Sequence, residues 1–300
     1  MLQQTRIATV IPAYQRFVRR FPTLRRLALA SEDDVLAAWS GLGYYSRARA
    51  LHRAAQLIDA SGAGEFPADY GEARRLPGVG PYTAAAVLSI AYGQDYAAVD
   101  GNVVRVLSRL LCLPRPGSEN EPYASLAQRL IDPRHPGDWN EALMELGETI
   151  CTARAPRCEV CPWHAGCEAY RRNRVHAHPP RKRGPRRERL QVAFEVIRDR
   201  DGRYLLERGA FEHLPHLWLP ILQKTGTPTA ACGSVRHAIL HRDFTVQVRC
   251  CRVAPAQLER RARRSPKRAE RRIFAAGELA RIGRSSLLTK ALRICCTSRK

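Results

Sequence analysis

Long apolar runs are missing from this sequence. No segment of its 300 residues reaches the roughly 18 uninterrupted apolar residues of a membrane-spanning helix. The N-terminal MLQQTRIATV also lacks an apolar run of signal-peptide length. Membrane insertion and secretion are therefore not expected, and a reducing, cytoplasmic setting is. Acidic residues are scarce beside basic ones: 28 Asp+Glu against 50 Lys+Arg give a formal net charge of +22. Such a balance points to a polyanionic partner, nucleic acid ahead of an anionic membrane surface. No internal repeat is present. A hydrophobic share of 45% still suffices for ordinary cores, and the length suits about two domains.

Up to about residue 170 the apolar residues keep a helical period. Val103, Val106, Leu107, Leu110 and Leu111 do so in VVRVLSRLL, as do Ala142, Leu143, Leu146 and Ile150 in NEALMELGETIC. TAAAVLSIAYG, residues 83–93, is apolar nearly all round, which suits a central helix of an all-α domain. Residues 171–189 are rich in Lys, Arg and Pro, have little to bury, and read as a basic linker. From 190 to 300 the period falls to two. Val192, Phe194 and Val196 alternate, Asp201-Gly202 marks a hairpin turn before Tyr204-Leu205-Leu206, and FTVQVRCCRV is a further strand candidate. This region is expected to be a smaller α+β domain, with the basic run Arg260 to Arg272 exposed on it.

Four of the ten cysteines crowd into CTARAPRCEVCPWHAGC, residues 151–167. Clustered thiols in a reducing compartment hold metal more readily than they form disulfides. Only Cys158 and Cys161 form the C-x2-C pair that zinc usually takes twice, and four thiolates also suit an iron–sulfur cluster. Spacing alone leaves both open. Cys112, Cys232, Cys250, Cys251, Cys295 and Cys296 fit no ligand pattern and read as ordinary residues.

In RRLPGVGPYTAAAVLSIA, residues 74–91, Pro77 ends one helix and Pro81 suits the first turn of the next. The Gly78-Val79-Gly80 turn between them is either a plain helix connection or a set of backbone N–H groups presented to a phosphate. Asp100, read alone, is a cap for the helix that follows. Tyr44-Tyr45, read alone, is a core aromatic pair.

Read whole, RRLPGVGPYTAAAVLSIA is similar to the helix-hairpin-helix element of DNA-repair glycosylases. AVDGNVVRVLSRL resembles that superfamily's catalytic loop and following helix. The x6-x2-x5 cysteine spacing after NEALMELGETIC looks like the [4Fe–4S] loop of the endonuclease III and adenine-glycosylase families. Endonuclease III-like enzymes carry a lysine at position 82, where its amine forms the Schiff base that permits strand cleavage. Tyr82 stands here, as in the adenine-specific (MutY) branch. MLQQTRIATVIPAYQRF resembles that branch's strand-penetrating helix, WSGLGYYSRARALH its Tyr wedge, and the C-terminal region its lesion-recognition domain.

The resemblance implies an all-α helix-hairpin-helix glycosylase domain over residues 1–170 with its cluster loop at 151–167. After the 171–189 linker it implies a smaller α+β Nudix-like domain over 190–300. The implied activity is that of a monofunctional glycosylase of base-excision repair. It would flip adenine, mispaired with 8-oxoguanine or guanine, out of double-stranded DNA and hydrolyse the N-glycosidic bond. Asp100 would stabilise the cationic sugar, with Tyr82 and Asn102 lining the pocket. Gln3, Gln4 and Tyr44 would enter the base stack, Gly78, Val79 and Gly80 would grip phosphate, and His241 would read the lesion. Cys151, Cys158, Cys161 and Cys167 would hold the [4Fe–4S] cluster. A monomer in a bacterial cytoplasm, at the nucleoid and away from membranes, is expected.

Two departures from the family pattern stand out. The family's general acid is a glutamate two residues before MLQQT, and this sequence begins at that Met, so slow excision with retained binding is expected of it. In VRHAILHRDFTV, where a Ser-His pair is typical, Leu240-His241-Arg242 stands, and leucine makes none of the serine's hydrogen bonds. No Glu-rich Nudix box is found, so nucleotide hydrolysis is not expected. The alternatives are an endonuclease III-like glycosylase/lyase and a catalytically impaired DNA-binding protein.

Overall fold

A computed structural model describes residues 1–2, 5, 7–113, 122–180, 186–223 and 231–297; Gln3 and Gln4 lie outside them. Helices dominate the first half: α1 (Ile7–Arg20), α2 (Leu24–Ala28), α3 (Glu32–Ala38), α4 (Tyr45–Ala60), α5 (Tyr70–Arg75) and α6 (Pro81–Tyr92). They continue through α7 (Gly101–Leu111), α8 (Tyr123–Leu130), α9 (Pro136–Glu145) and α10 (Glu168–Arg171). Six strands follow, β1 (Glu188–Asp199), β2 (Tyr204–Arg208), β3 (Ile221–Leu222), β4 (Gly233–Ile239), β5 (Arg242–Val253) and β6 (Glu270–Phe274). Two more helices join them, α11 (Pro255–Arg263) between β5 and β6 and α12 (Ser286–Thr297) at the end.

The chain forms two compact units, and they cut across the linear division read from the sequence. One unites Met1–Ala60 with Pro185–Lys300; the other is Ser61–Gly184. The physical reason lies in side chains that composition does not reveal. Val10, Ala13 and Phe17 on α1 close a core with Val35, Leu36 and Trp39, and Leu217 from the C-terminal half completes it. Gly283 permits the approach, because a Cβ there would stand 2.7 Å from the Cβ of Leu36. Tyr45 Oη donates to the Arg284 carbonyl at 2.5 Å, and Arg208 pairs with Asp33 at 2.8 Å.

In that first unit the strands form a mixed sheet in the order β4-β5-β1-β2-β6, with β3 also on β1. β1 and β5 run parallel over their full length, from Glu188↔Arg242 to Asp199↔Val253. Alternation sends Phe194, Val196 and Val248 to one face, packed with α12, and Ile197 and Val253 to the other, packed with Leu258 of α11. The expected α+β character holds. Cys250 and Cys295, read as ordinary, are instead joined as a disulfide. Sequence spacing had no means of pairing a strand residue with one 45 positions away.

The second unit is helical among its described residues. Asp69 caps α5 and Asp100 caps α7, while Pro81 opens α6 and Gly93 closes it in a left-handed conformation. The helix expected across NEALMELGETIC is α9 followed by one π turn, Leu146–Ile150. Residues 171–180 do not run free as a linker: Arg109 on α7 donates to the carbonyls of Val175 at 3.0 Å and His178 at 2.9 Å.

Candidate active site

Asp100 sits where the chain enters α7. Its Oδ1 accepts the backbone N–H groups of Asn102 and Val103, both at 2.8 Å, and its Oδ2 accepts Asn102 Nδ2 at 2.9 Å. The capping role is thus fulfilled, and it leaves a carboxylate fixed in direction at the positive end of an eleven-residue helix. Three hydrogen bonds hold it, and among the described residues no cationic side chain pairs with it. Such an anion is suited to stabilising positive charge that develops on a neighbouring group.

Tyr82, one residue into α6 after Pro81, lies close enough to Asp100 to feel its charge. Burial, and after it the Asp100 carboxylate, raises the Tyr82 hydroxyl above its ordinary value, and its Oη donates to Met144 Sδ at 3.3 Å. Tyr82 is therefore a neutral wall of this site. Asn102 is bonded to Asp100, and Tyr82 lies within electrostatic reach of the same carboxylate.

Behind them runs a line that sequence reading missed. Asn102, Arg105 and Arg109 occupy one face of α7 at i, i+3 and i+7. Arg105 Nη2 donates to Asn102 Oδ1 at 2.7 Å and to the Gly147 carbonyl at 2.7 Å, while its Nε reaches the Cys151 carbonyl at 2.8 Å. Burial lowers the Arg105 guanidinium from its usual value, against the pull of Cys151. Gly147 in the π turn touches Asn102 so closely that a Cβ would stand 2.6 Å from Asn102 Cβ. A π turn at that point is a feature often met at functional sites. The signal was present as two arginines inside an apolar helix.

Arg109 is only 2% exposed. Besides Val175 and His178 it donates to the Thr152 carbonyl at 2.8 Å and to Cys151 Sγ at 3.3 Å. The four loop cysteines are free thiols, half-buried. Burial, and then Cys151, pushes the Cys158 thiol up; burial leads at Cys161 too, with Cys151 and Cys167 adding to it. The four therefore lie within electrostatic reach of one another. Among the described residues no three His, Cys, Asp or Glu groups close around a single ion.

At the Gly78–Gly80 turn, Gly78 takes φ 78° and Gly80 caps α6 without a side-chain hydrogen bond. Val79 is a packing residue, half-buried on the Ala73, Ala84 and Leu88 cluster. The remaining sequence candidates belong to the other compact unit. Tyr44 and Tyr45 do not form a core pair: Tyr45 points inward, whereas Tyr44 is 44% exposed with φ 46°. The Arg47 guanidinium lies 4.8 Å from the Tyr44 ring. Gly43, at φ 67°, accepts Trp39 Nε1 at 3.0 Å and fixes the loop that presents Tyr44. His241 stands at the turn between β4 and β5, its carbonyl accepting the Glu188 N–H at 3.0 Å. Beside it Leu240 is 68% exposed at φ 54°.

Residues 1–129 match the family of HhH-GPD superfamily base excision DNA repair proteins. The chain is 47% identical over 180 residues to the adenine DNA glycosylase of Schizosaccharomyces pombe, covering 58% of itself and 39% of that protein. It is 46% identical over 176 residues to the adenine DNA glycosylase of Homo sapiens, covering 57% of itself and 32% of that protein. The adenine DNA glycosylase of Buchnera aphidicola subsp. Baizongia pistaciae is 38% identical over 179 residues, with 58% and 50% covered. The chain thus spans from a third to a half of the length of these relatives. Its structure is similar to that of a thermostable thymine-DNA glycosylase, with a TM-score of 0.51 at 28% identity, covering 57% of this chain and 80% of that one. A trapped endonuclease III–DNA covalent intermediate gives 0.52 at 25%, with 57% and 81% covered. The helical part of the fold is shared with these two structures. Among the described residues no helix is long and apolar enough to cross a membrane.

Proposed function

We propose that this protein is a monofunctional adenine DNA glycosylase, removing adenine mispaired with 8-oxoguanine or guanine from double-stranded DNA. The observation that carries the reading is the Asp100 carboxylate, held by three hydrogen bonds beside Tyr82, in a chain 46–47% identical to adenine DNA glycosylases. Cleavage of the N-glycosidic bond leaves positive charge on the sugar. Asp100 stabilises that charge, and Asn102 holds the carboxylate so that no reorientation is needed as the charge develops. Tyr82 offers a phenol where a Schiff-base lyase needs an amine, so the strand is left uncut.

The remaining assignments belong to the same proposal. The glycosylase motifs lie within residues 1–170, of which Met1–Ala60 packs with the C-terminal sheet, and residues 190–300 form a Nudix-like lesion-recognition part with His241 at its hairpin tip. Gln3, Gln4 and Tyr44 enter the base stack, while Gly78, Val79 and Gly80 approach the phosphates. Cys151, Cys158, Cys161 and Cys167 hold a [4Fe–4S] cluster; when bound it ties the four thiolates together and braces a basic loop. The protein acts as a monomer in a bacterial cytoplasm, on the nucleoid.

The test is product analysis on an A:8-oxoguanine duplex with the full-length protein. Free adenine and an alkali-labile abasic site, with no strand cut and no adduct trapped by borohydride, are expected. A borohydride-trapped adduct would assign the chain to the glycosylase/lyases instead. Tight binding without adenine release would favour a non-catalytic lesion binder.

A further inference from the structure

In the unit that holds the mixed sheet, five cysteines gather at one end of the sheet. Cys250 on β5 and Cys295 on α12 form the disulfide, with a Cα–Cα distance of 5.6 Å. The Cys250 N–H donates to Cys232 Sγ at 3.2 Å, which sets a third, free thiol against the bridge. Cys296 follows on α12 and is exposed. These four and Cys251 line a cavity of about 940 Å³.

The rest of that cavity is basic. Arg198, Arg200 and Arg252 face it together with Tyr204. Arg198 lies over the Tyr204 ring at 5.4 Å, and its Nε is buried with no hydrogen-bond partner among the described residues. Asp199 also borders the cavity, but its carboxylate is taken by Arg203, at 2.7 Å to Nε and 2.8 Å to the backbone N–H. A hollow with guanidinium groups on one wall and a disulfide beside a free thiol on the other suits a ligand carrying carboxylates and a thiol.

The geometry points to a thiol–disulfide exchange site that takes a low-molecular-weight acidic thiol, its carboxylates on Arg198 and Arg252 and its sulfur at the Cys250–Cys295 bridge. The small thiolate attacks the Cys250 sulfur; a new S–S bond forms there as the bridge breaks, and Cys295 leaves as a thiolate that takes a proton. Cys232, as a thiolate, then attacks the same Cys250 sulfur. A Cys232–Cys250 bond forms and the small thiol departs. One S–S bond exists at each stage, so no outside oxidant or reductant is consumed. The exchange unlinks α12 from β5. Helix α12 also rests on β4, where a Cβ on Gly233 would meet Ile294 at 3.1 Å and Lys290 Nζ donates to the Arg236 carbonyl at 3.0 Å. Bridge position therefore sets how firmly α12 is fastened to the β4–β5 hairpin.

The experiment uses the full chain, glutathione as the acidic thiol and 2-mercaptoethanol as a thiol without carboxylates. After acid quench and alkylation, peptides are mapped by mass spectrometry, so the four loop cysteines are read separately. Expected are a glutathione adduct at Cys250, then a linked Cys232–Cys250 peptide. In Cys232→Ser the adduct should accumulate. Arg252→Gln, at an exposed position, should slow adduct formation by glutathione several-fold and leave 2-mercaptoethanol unaffected; a folded Arg198→Gln should do the same. The proposal is overturned if Cys250 and Cys295 remain unlinked after equilibration with oxidised glutathione. Adducts confined to other cysteines, or a rate ratio between the two thiols that Arg252→Gln does not change, would overturn it as well.

Discussion

Arg109 Nη1 stands 3.3 Å from Cys151 Sγ, on the same helix whose first turn is capped by Asp100. One rigid element therefore carries the carboxylate at its start and the grip on the cysteine loop two turns later. Arg105 joins the two ends, through Asn102 on one side and the Cys151 carbonyl on the other. The loop and the carboxylate are mechanically one piece.

Arg109→Ala should expose this coupling. It strands several carbonyls from residues 151–178 inside the unit, and each buried acceptor left unpaired costs about 1–3 kcal/mol. A loss of at least about 3 kcal/mol is expected by urea denaturation. Limited trypsin digestion should open the loop at Arg154 and Arg157 first. Arg109→Lys should recover only part, since an ammonium has three donors and no planar fork.

Gly147→Ala places a methyl where Asn102 already is. Backbone and Cβ atoms cannot swing aside, so the start of α7 must shift. Excision should fall by at least about tenfold, from loss of alignment near the reacting bond. DNA affinity should change little. Equal losses in affinity and rate would mean that Gly147 serves the fold alone.

Tyr44→Asn separates stability from binding. The left-handed backbone at φ 46° is unfavourable for a bulky residue and acceptable to asparagine, a gain of about 1 kcal/mol. Loss of the Arg47 contact takes back about 0.5–1 kcal/mol. Net stability should stay within about 1 kcal/mol of the parent, whereas duplex affinity should drop by about 1–3 kcal/mol if the ring stacks on bases. Calorimetry and a binding titration on the two proteins decide it.

Acid should weaken the unit that holds the sheet. His213, His216 and His237 are each lowered from 6.5, burial first in every case, with Arg242, Arg49 and Lys290 respectively disfavouring a second positive charge. The unfolded chain then binds more protons than the folded one as pH falls through about 6.5, so stability declines there. Asp34 and Glu188, both held low, lose their contribution only below their ordinary values of 3.8 and 4.5. Melting temperature should therefore fall between pH 7 and 5, and His237→Gln should flatten part of that fall.

Much of this was legible in the sequence because the features are local. Caps, the Pro-opened helix α6, the cysteine spacing and the period-two strands each depend on residues a few positions apart. Asp100, Tyr82 and Asn102 were named through the resemblance of their motifs to the glycosylase superfamily. The partition of the chain could not be read, since it rests on Leu36 meeting Gly283 and on Tyr45 reaching Arg284. The inward roles of Arg105 and Arg109 escaped too, because only tertiary contacts with residues 147–178 reveal them. The Cys250–Cys295 bridge escaped for the same reason, because its partners meet across a strand and a helix.

The most direct measurement is single-turnover adenine release from an A:8-oxoguanine duplex by the full-length protein and its Asp100→Asn variant, with affinity measured in parallel. Asparagine caps a helix about as well as aspartate, so the variant should fold and bind like the parent. Without the negative charge, release should slow by at least about 10²-fold. Adenine release by Asp100→Asn at the parent's rate, with unchanged binding, would contradict the assignment of Asp100 as the group that stabilises the cationic sugar.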